Sequence, residues 1–197
     1  EMRKVFGRLP ELPEVTPDLR HAQNLFILMF LLRGLPFVDL AYLRKSDLRD
    51  NVITYRRRKT GRSLSVTLAP EAMVLLRRYM DRNESSPYLF PILSSDEGTE
   101  EAYREYQLAL RSFNQKLMLL GKLMGMEGKL SSYTARHTWA TTAYHCEIHP
   151  GIISEAMGHS SITVTETYLK PFHNKKIDEA NKKIVDFVRR STGWAIV

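Results

Sequence analysis

The stretch that decides the fold reads Ser132-Tyr133-Thr134-Ala135-Arg136-His137-Thr138-Trp139, then Met157-Gly158-His159-Ser160-Ser161, then Glu166-Thr167-Tyr168. It holds a fixed cation in Arg136, an imidazole directly after a glycine in His159, and a phenol in Tyr168. Each of these side chains alone has a simpler structural role. An arginine can pair with an acid, an imidazole can close a turn, and most tyrosines are packed side chains.

Capping residues divide this stretch into short helical segments joined by tight turns. Serine is a preferred N-cap, and proline is a preferred first helical residue. We expect helices at about 132–145 and 150–158, and a third segment that starts after Ser160 or Ser161 and carries Tyr168. His137 should face away from the neighbouring Arg136 side chain and serve a structural role.

Toward the N-terminus the sequence predicts two helices and a β-hairpin. Thr16-Pro17 is typical of a helix start, and apolar residues recur at helical spacing to about Arg33. A second helix should begin near Pro36. Residues 51–57 and 63–68 alternate and are rich in β-branched side chains, which predicts two strands around the turn Arg58-Lys59-Thr60-Gly61-Arg62. Residues 46–48 are a candidate third strand.

The remaining segments are helical or irregular. Residues 1–15 resemble a linker or tether, because proline and glycine recur there. Helices are expected at about 70–82 and 99–124, and an amphipathic helix at about 174–190. Residues 16–197 should form one domain. The fold class is therefore mainly α with a small antiparallel β-sheet.

Composition limits the possible functions. The 197-residue chain has a net charge of +7 and a pI of about 9.5, which favours a polyanionic partner such as nucleic acid. No apolar run has the length of a membrane span, and the single cysteine, Cys146, excludes an internal disulfide. Since the chain starts at Glu1 without a signal-peptide pattern, we expect a cytoplasmic fragment of a longer protein.

The spacing of the opening stretch resembles the core of the tyrosine recombinase (phage-integrase) family. Sequences of that family carry a His-x-x-Arg box, a Leu-Gly-His box and a nucleophilic tyrosine nine positions after the second histidine. Arg136, Gly158-His159 and Tyr168 match this pattern, whereas Tyr133 stands where the first histidine is usual. The resemblance covers about residues 16–172 and implies the family's catalytic-domain fold, shared by DNA breaking and rejoining enzymes.

The resemblance also implies a reaction. Tyr168 would attack a DNA phosphodiester, forming a 3′-phosphotyrosyl bond and releasing a 5′-hydroxyl. Arg136 and His159 would bind the phosphate, and Lys59, in the hairpin turn, would protonate the departing 5′-oxygen. Because the phosphotyrosyl bond retains the energy of the original linkage, rejoining needs no ATP, metal or other cofactor. His145, Cys146 and His149 do not provide enough ligands for a metal site.

Two positions depart from the family pattern. The family's first arginine usually lies three residues before an acid; Asp39 is a suitable acid, but Pro36 occupies the arginine position. We expect Arg33 to reach the site from one turn upstream, or else to cap the first helix. Tyr133, as a phenol, can hydrogen-bond at the phosphate but is a poor general base.

The expected partner is double-stranded DNA. Arg56, Arg57, Arg58 and Arg62 suit contacts to the phosphate backbone. By analogy with the family, we expect a dimer to tetramer on DNA, in a bacterial cell and associated with the nucleoid. The alternative is a non-catalytic helix-turn-helix DNA-binding module built from residues 152–168, in which Tyr168 and Arg136 make only positioning contacts. A type IB topoisomerase is a minor alternative.

Overall fold

The computed structural model describes residues 5–6, 15–168 and 174–192. Most of the predicted tether, and the segment around Pro171, lie outside these ranges. The described helices are α1 (Pro17–Leu31), α2 (Phe37–Tyr42), α3 (Pro70–Tyr79), α4 (Glu100–Leu123), α5 (Ser132–His145), α6 (Pro150–Met157), α7 (Ile162–Glu166) and α8 (Asn174–Thr192). The strands are β1 (Leu48–Arg49), β2 (Val52–Arg56) and β3 (Ser63–Thr67). The predicted class, mainly helical with a small antiparallel sheet, is confirmed.

Local capping explains where the helices begin. The Thr16 hydroxyl accepts from the Leu19 N–H at 3.3 Å, and the Thr99 hydroxyl accepts from the Ala102 N–H at 3.2 Å. These contacts satisfy backbone donors that lack an intrahelical partner. The His149 ring caps α6 in the same way, since its Nδ1 accepts from the Gly151 N–H at 3.0 Å.

The three strands form one antiparallel sheet in the order β1-β2-β3. In the β2–β3 hairpin Ile53 pairs with Val66, and both are buried, while alternate residues face solvent. The third strand starts later than predicted, because residues 45–47 form a 3₁₀ turn instead. The Asp47 carboxylate stabilises that turn by accepting from the Arg44 N–H at 2.8 Å.

Helix α1 is the centre of the main core. Phe26, Leu28 and Met29 are fully buried, and α1 packs against α3, α4 and α5. Two residues of the predicted tether also contact α1: the Val5 carbonyl accepts from Gln23 Nε2 at 2.7 Å, and the Phe6 ring lies edge-on against Phe30. Most of the hydrophobic stabilisation of the fold therefore surrounds this one helix.

A second, smaller cluster joins α5, α6 and α7. Ala140, Ile153, Met157 and Tyr168 are buried in it, and Trp139 packs against them. The chain reverses between α6 and α7 at Gly158, whose φ of 64° is left-handed. Glycine adopts this conformation without the strain that a Cβ causes. The cluster brings the opening stretch of sequence together in space.

Helix α8 has its apolar side chains largely in solvent. Ile177, Ile184, Phe187 and Val188 are all exposed. An ion pair between Lys176 and Glu147, 3.1 Å, connects α8 to the end of α5. Within the ranges given above, no helix combines the length and apolar character needed to cross a membrane.

Candidate active site

A cavity of about 230 Å³ lies between the hairpin turn and helices α5 to α7. Its wall contains five of the six predicted catalytic residues, namely Lys59, Tyr133, Arg136, His159 and Tyr168, together with Arg57. Four of these six side chains carry or can accept a positive charge, which makes the cavity suited to an anion. Residues far apart in the sequence thus converge as the pattern indicated.

The Arg136 side chain is 4% exposed and connects two loops. Its Nη1 donates to the Gly34 carbonyl at 3.0 Å, and its Nη2 donates to the Met157 carbonyl at 2.7 Å. Gly34 has a φ of 69°, and a Cβ there would lie 2.8 Å from Arg136 Cα, so only glycine allows this approach. Burial and the neighbouring Arg57 charge lower the pKa of Arg136 from its usual value.

His159 is held by the hairpin turn. The Thr60 hydroxyl donates to the Gly158 carbonyl at 3.1 Å, and Arg62 Nη1 donates to the His159 carbonyl. A Cβ on Gly158 would lie 2.9 Å from Leu64 Cδ1 and 3.0 Å from Arg57 Cγ, so the absence of a side chain permits the turn to pack against the hairpin. These contacts fix the backbone at His159 and so position its imidazole ring.

The His159 ring is neutral at neutral pH. Burial and the charges of Arg136, Arg57 and Lys59 lower its pKa to about 4. Its Nδ1 lies 2.8 Å from the Thr165 hydroxyl. When that hydroxyl donates to Nδ1, the ring proton is on Nε2, so a neutral His159 can still donate a hydrogen bond to an anion.

The Tyr168 ring is 8% exposed and lies between two histidines. The His159 ring stacks on it, with a centroid distance of 5.5 Å and an angle of 5° between the planes. The His137 ring meets it edge-on at 5.4 Å. His137, which we expected to face away from Arg136 and to be structural, thus packs against Tyr168. Residues four apart on α5 share a face, and Thr141, one turn after His137, also approaches Tyr168, with its hydroxyl 3.4 Å from the Tyr168 carbonyl.

Tyr133 provides the hydrogen-bond partner of Tyr168. The two hydroxyls are 2.5 Å apart. Desolvation of its hydroxyl end and this hydrogen bond raise the pKa of Tyr133 to about 12, so it remains protonated at neutral pH. The ring is 57% exposed, which leaves a route from the Tyr168 hydroxyl to solvent. Tyr133, which stands at the sequence position of the missing histidine, thus contacts the Tyr168 hydroxyl directly.

Arg33 is not among the residues that line the cavity. It has a left-handed φ of 59°, and its Nη1 donates to the Ser65 carbonyl on β3 at 3.2 Å. The expected entry of Arg33 into the site from one turn upstream is thus not what the structure has. The α1–α2 loop turns at Arg33 and Gly34, which directs the Arg33 side chain to the sheet.

The four arginines expected to contact a DNA backbone differ strongly. Arg56 is exposed, and Arg58 is partly exposed, stacked on the Tyr42 ring at 3.8 Å and paired with Glu97. Arg62 donates a hydrogen bond to the His159 carbonyl, as described above. Arg57, by contrast, is 5% exposed and lines the cavity, where its Nη1 pairs with the buried Asp39.

The burial of Arg57, which we did not predict, has a signal in the sequence. Ile53 and Tyr55 are the buried residues of β2, and Arg57 continues the same two-residue alternation. The parity of the strand therefore directs Arg57 inward and its neighbours outward. Lys59 is exposed at the turn but lines the cavity, so it combines access to the site with freedom to move.

Within the described ranges, no group of three histidine, cysteine, aspartate or glutamate side chains is placed to hold a metal ion. The site's polar groups are instead cations, phenols and one neutral imidazole, a set suited to binding an oxyanion.

Comparison with known sequences identifies a family model and several relatives that this chain resembles. The model of the "Phage integrase family" matches residues 11–175. Tyrosine recombinase XerA of Pyrococcus furiosus is 26% identical over 163 residues, which cover 81% of this chain and 54% of the relative. Tyrosine recombinase XerC of Leptospira interrogans is 28% identical over 126 residues, covering 64% of this chain and 38% of the relative. The chain thus spans about half, or less, of the length of these curated relatives.

Solved structures show the same fold. The XerH site-specific recombinase bound to its difH substrate before cleavage aligns with a TM-score of 0.62 at 18% identity, covering 92% of this chain and 51% of that one. The Tn1549 transposon integrase in complex with transposon right end DNA also aligns with a TM-score of 0.62, at 15% identity, covering 90% of this chain and 62% of that one. Since the family model covers most of the sequence, the chain belongs to the phage integrase family.

Proposed function

We propose that this chain is the catalytic domain of a tyrosine recombinase that cleaves and rejoins double-stranded DNA at specific sites. The observation that carries the proposal is the Tyr168 hydroxyl, which borders a cavity lined by Arg57, Lys59, Arg136 and His159. A phenol is a weak nucleophile at neutral pH, and surrounding cations make its attack on a phosphate feasible by stabilising the developing charge.

In the proposed cleavage step Tyr168 Oη bonds to the phosphorus, and the bond from phosphorus to the 5′-oxygen breaks. Tyr168 passes its proton to the Tyr133 hydroxyl, which at the same time releases its own proton to solvent water. Arg136 and the neutral His159 donate hydrogen bonds to the non-bridging oxygens. Lys59 donates a proton to the 5′-oxygen, which leaves as a hydroxyl. Rejoining is the reverse of this step and needs no cofactor.

The arrangement of the hairpin supports a DNA partner. Arg56 and Arg58 are the exposed neighbours of Arg57 in the sequence, so we expect them to contact phosphates that flank the cleaved one. The net charge of +7 adds a long-range attraction to DNA. These contacts position the backbone and do not read sequence.

We further propose that copies of the chain assemble on DNA as a dimer to tetramer. Support comes from α8, whose apolar residues Ile184 and Phe187 are exposed in the single chain. Burying these side chains against a neighbouring copy would remove apolar surface from water. A cytoplasmic, nucleoid-associated location agrees with this activity and stays a prediction.

The test of the proposed activity is covalent trapping. The chain is incubated with a nicked DNA substrate that cannot be rejoined, and protein–DNA adducts resistant to SDS are quantified. Tyr168→Phe should bind the DNA with nearly unchanged affinity and form no adduct, because only the nucleophilic oxygen is lost. Tyr103→Phe, which removes an exposed hydroxyl from α4, serves as the matched control and should react as the wild type does. An adduct mapped by mass spectrometry to a residue other than Tyr168 contradicts the assignment.

The same assay distinguishes the enzyme from a non-catalytic DNA-binding module. A helix-turn-helix module would bind DNA and never form an adduct. The geometry favours the enzyme, because the segment expected to read the groove, α7, has only five residues and ends just before the buried Tyr168.

A further inference from the structure

We propose that Arg57, on the hairpin, is the second arginine that clamps the cleaved phosphate, and that it replaces a cation missing from α2. This inference rests on the proposed function and names a further catalytic residue for it. The sequence led us to expect Arg57 to be an outer backbone contact and Arg33 to be the missing catalytic arginine. In the structure, Arg57 lines the cavity, whereas Arg33 contacts the sheet.

The cavity has a wall without a cation where the family pattern has one. Pro36 lies three residues before Asp39 and lines the cavity, where its ring can donate no hydrogen bond. Arg136 also lines the cavity, but two of its donors are already given to carbonyls. A dianionic transition state needs donors from more than one direction, and Arg57 is the arginine that lines this cavity besides Arg136.

Asp39 fixes the Arg57 guanidinium. The carboxylate, 2% exposed, accepts from Arg57 Nη1 through Oδ2 and from the Arg58 N–H through Oδ1 at 2.9 Å. Both carboxylate oxygens are thereby bound to the start of the hairpin turn. In the family pattern, Asp39 would support an arginine at the start of α2. Here Asp39 supports Arg57, at the end of β2, so the positive charge reaches the cavity from the hairpin.

Arg57 retains a donor that no residue uses. A guanidinium has five N–H groups, and Asp39 engages Nη1. Arg57 Nε is buried and has no hydrogen-bond partner among the described residues. A buried donor without a partner is destabilising, so its retention calls for a ligand. A phosphate oxygen in the adjoining cavity is a suitable acceptor, because arginine binds phosphate oxygens with paired donors.

A structural role for Arg57 is the competing explanation. The side chain packs against the Gly158 turn, so its loss can displace His159 without any contact to phosphate. The experiment therefore has to separate lost charge at the phosphate from lost packing. A DNA substrate with a methylphosphonate at the cleaved position does so, because a methyl group replaces one non-bridging oxygen and the phosphate loses its charge.

Adduct formation is measured for wild type and Arg57→Ala on ordinary and methylphosphonate DNA. On ordinary DNA, Arg57→Ala should be slower than wild type by about 100-fold or more, the range for removing a donor to a developing oxyanion. On methylphosphonate DNA the difference should shrink to less than about tenfold, because the charge that Arg57 neutralises is absent. Arg58→Ala is the control, and its difference from wild type should be the same on both substrates.

A second variant guards against misfolding. Arg57→Ala leaves the buried Asp39 carboxylate unpaired, which is destabilising, whereas Arg57→Met combined with Asp39→Asn removes both charges and keeps the volume. For this double variant too, the rate difference from wild type should be smaller on methylphosphonate DNA than on ordinary DNA. Thermal unfolding, measured in parallel, shows whether the variant is folded. Equal differences on both substrates for both variants overturn the role of Arg57 and leave the proposed function intact. Absence of any adduct from the wild type on cleavable DNA overturns the proposed function itself.

Discussion

The two walls of the cavity are built differently. On the helical wall, Arg136, His159 and Tyr168 are nearly buried, and each contacts residues from other segments. On the hairpin wall, Arg57 is buried, but Lys59 and Arg56 are exposed around it. A buried side chain with several partners keeps one position, whereas an exposed lysine on a turn can move when a ligand arrives.

This difference suggests a division of labour. In the proposed reaction, the helical wall would bind the phosphate in a preformed cradle, which avoids reorganisation. On the hairpin wall, Asp39 already holds Arg57, whereas the exposed Lys59 can approach after DNA has bound. Substitutions in the helical wall should thus affect both folding and chemistry, and substitutions of exposed hairpin residues should affect chemistry or binding alone.

The largest effect is expected for Arg136→Lys. A lysine provides the charge but not the planar fork that reaches the Gly34 and Met157 carbonyls and the phosphate together. Adduct formation should fall by more than about 100-fold, and the melting temperature should drop as well. Arg104→Lys, an equivalent change at an exposed position on α4, is the control. A variant with normal stability and normal cleavage would refute the preformed cradle.

A slightly smaller effect is expected for Lys59→Ala, with no loss of stability because the side chain is exposed. An alkoxide is a poor leaving group, so removal of a general acid should slow cleavage by about 100-fold. On a substrate with sulfur at the 5′-bridging position, the thiolate leaves without a proton. Lys59→Ala should then react at nearly the wild-type rate, while Tyr168→Phe stays inactive.

The control for this experiment is Lys129→Ala, which removes an exposed lysine from the loop before α5 and should change neither rate. If Lys59→Ala is equally slow with oxygen and with sulfur, Lys59 is not the acid. In that case His159 is tested next by the same substitution of the leaving atom.

The smallest effect concerns the outer face of the hairpin. Glu97 pairs with Arg58 and, at 2.7 Å, with Arg44, and all three side chains are partly exposed. A carboxylate there competes with DNA phosphates for the same guanidinium groups. Glu97→Gln should therefore raise DNA affinity by about two- to fivefold at low salt, in keeping with the modest strength of exposed ion pairs.

Fluorescence anisotropy at several salt concentrations measures this change. Glu101→Gln alters the net charge equally on the first turn of α4 and is the matched control. An equal rise in affinity for the two variants would mean that only overall charge matters and that Glu97 has no special relation to the hairpin.

The stability of the helical wall should depend on pH through His159. The pKa of His159 is lowered to about 4, while the unfolded chain has the ordinary value near 6.5. Between these values the unfolded state binds the proton that the folded state does not, so stability declines as the pH falls from about 6.5 to 4 and is constant above. His21, whose pKa is also lowered by burial, contributes in the same direction.

Much of this protein follows from local sequence. Helix starts at Thr16 and Thr99 depend on a hydroxyl and the backbone within one turn, and the alternation in β2 and β3 depends on neighbouring residues. The spacing of Arg136, Gly158-His159 and Tyr168 indicated the family and the site for the same reason, since short connections between α5, α6 and α7 keep these residues close.

Other features were decided only by tertiary structure. Arg33 and Arg57 have the same chemistry, and which of them lines the cavity depends on the turn at Gly34 and on the Asp39 carboxylate, which is distant in sequence from Arg57. The contact of His137 with Tyr168 likewise exists only because the segment after α7 lies against α5. A charged side chain is placed by the partner that compensates its burial, and that partner is a property of the assembled fold, not of the neighbouring sequence.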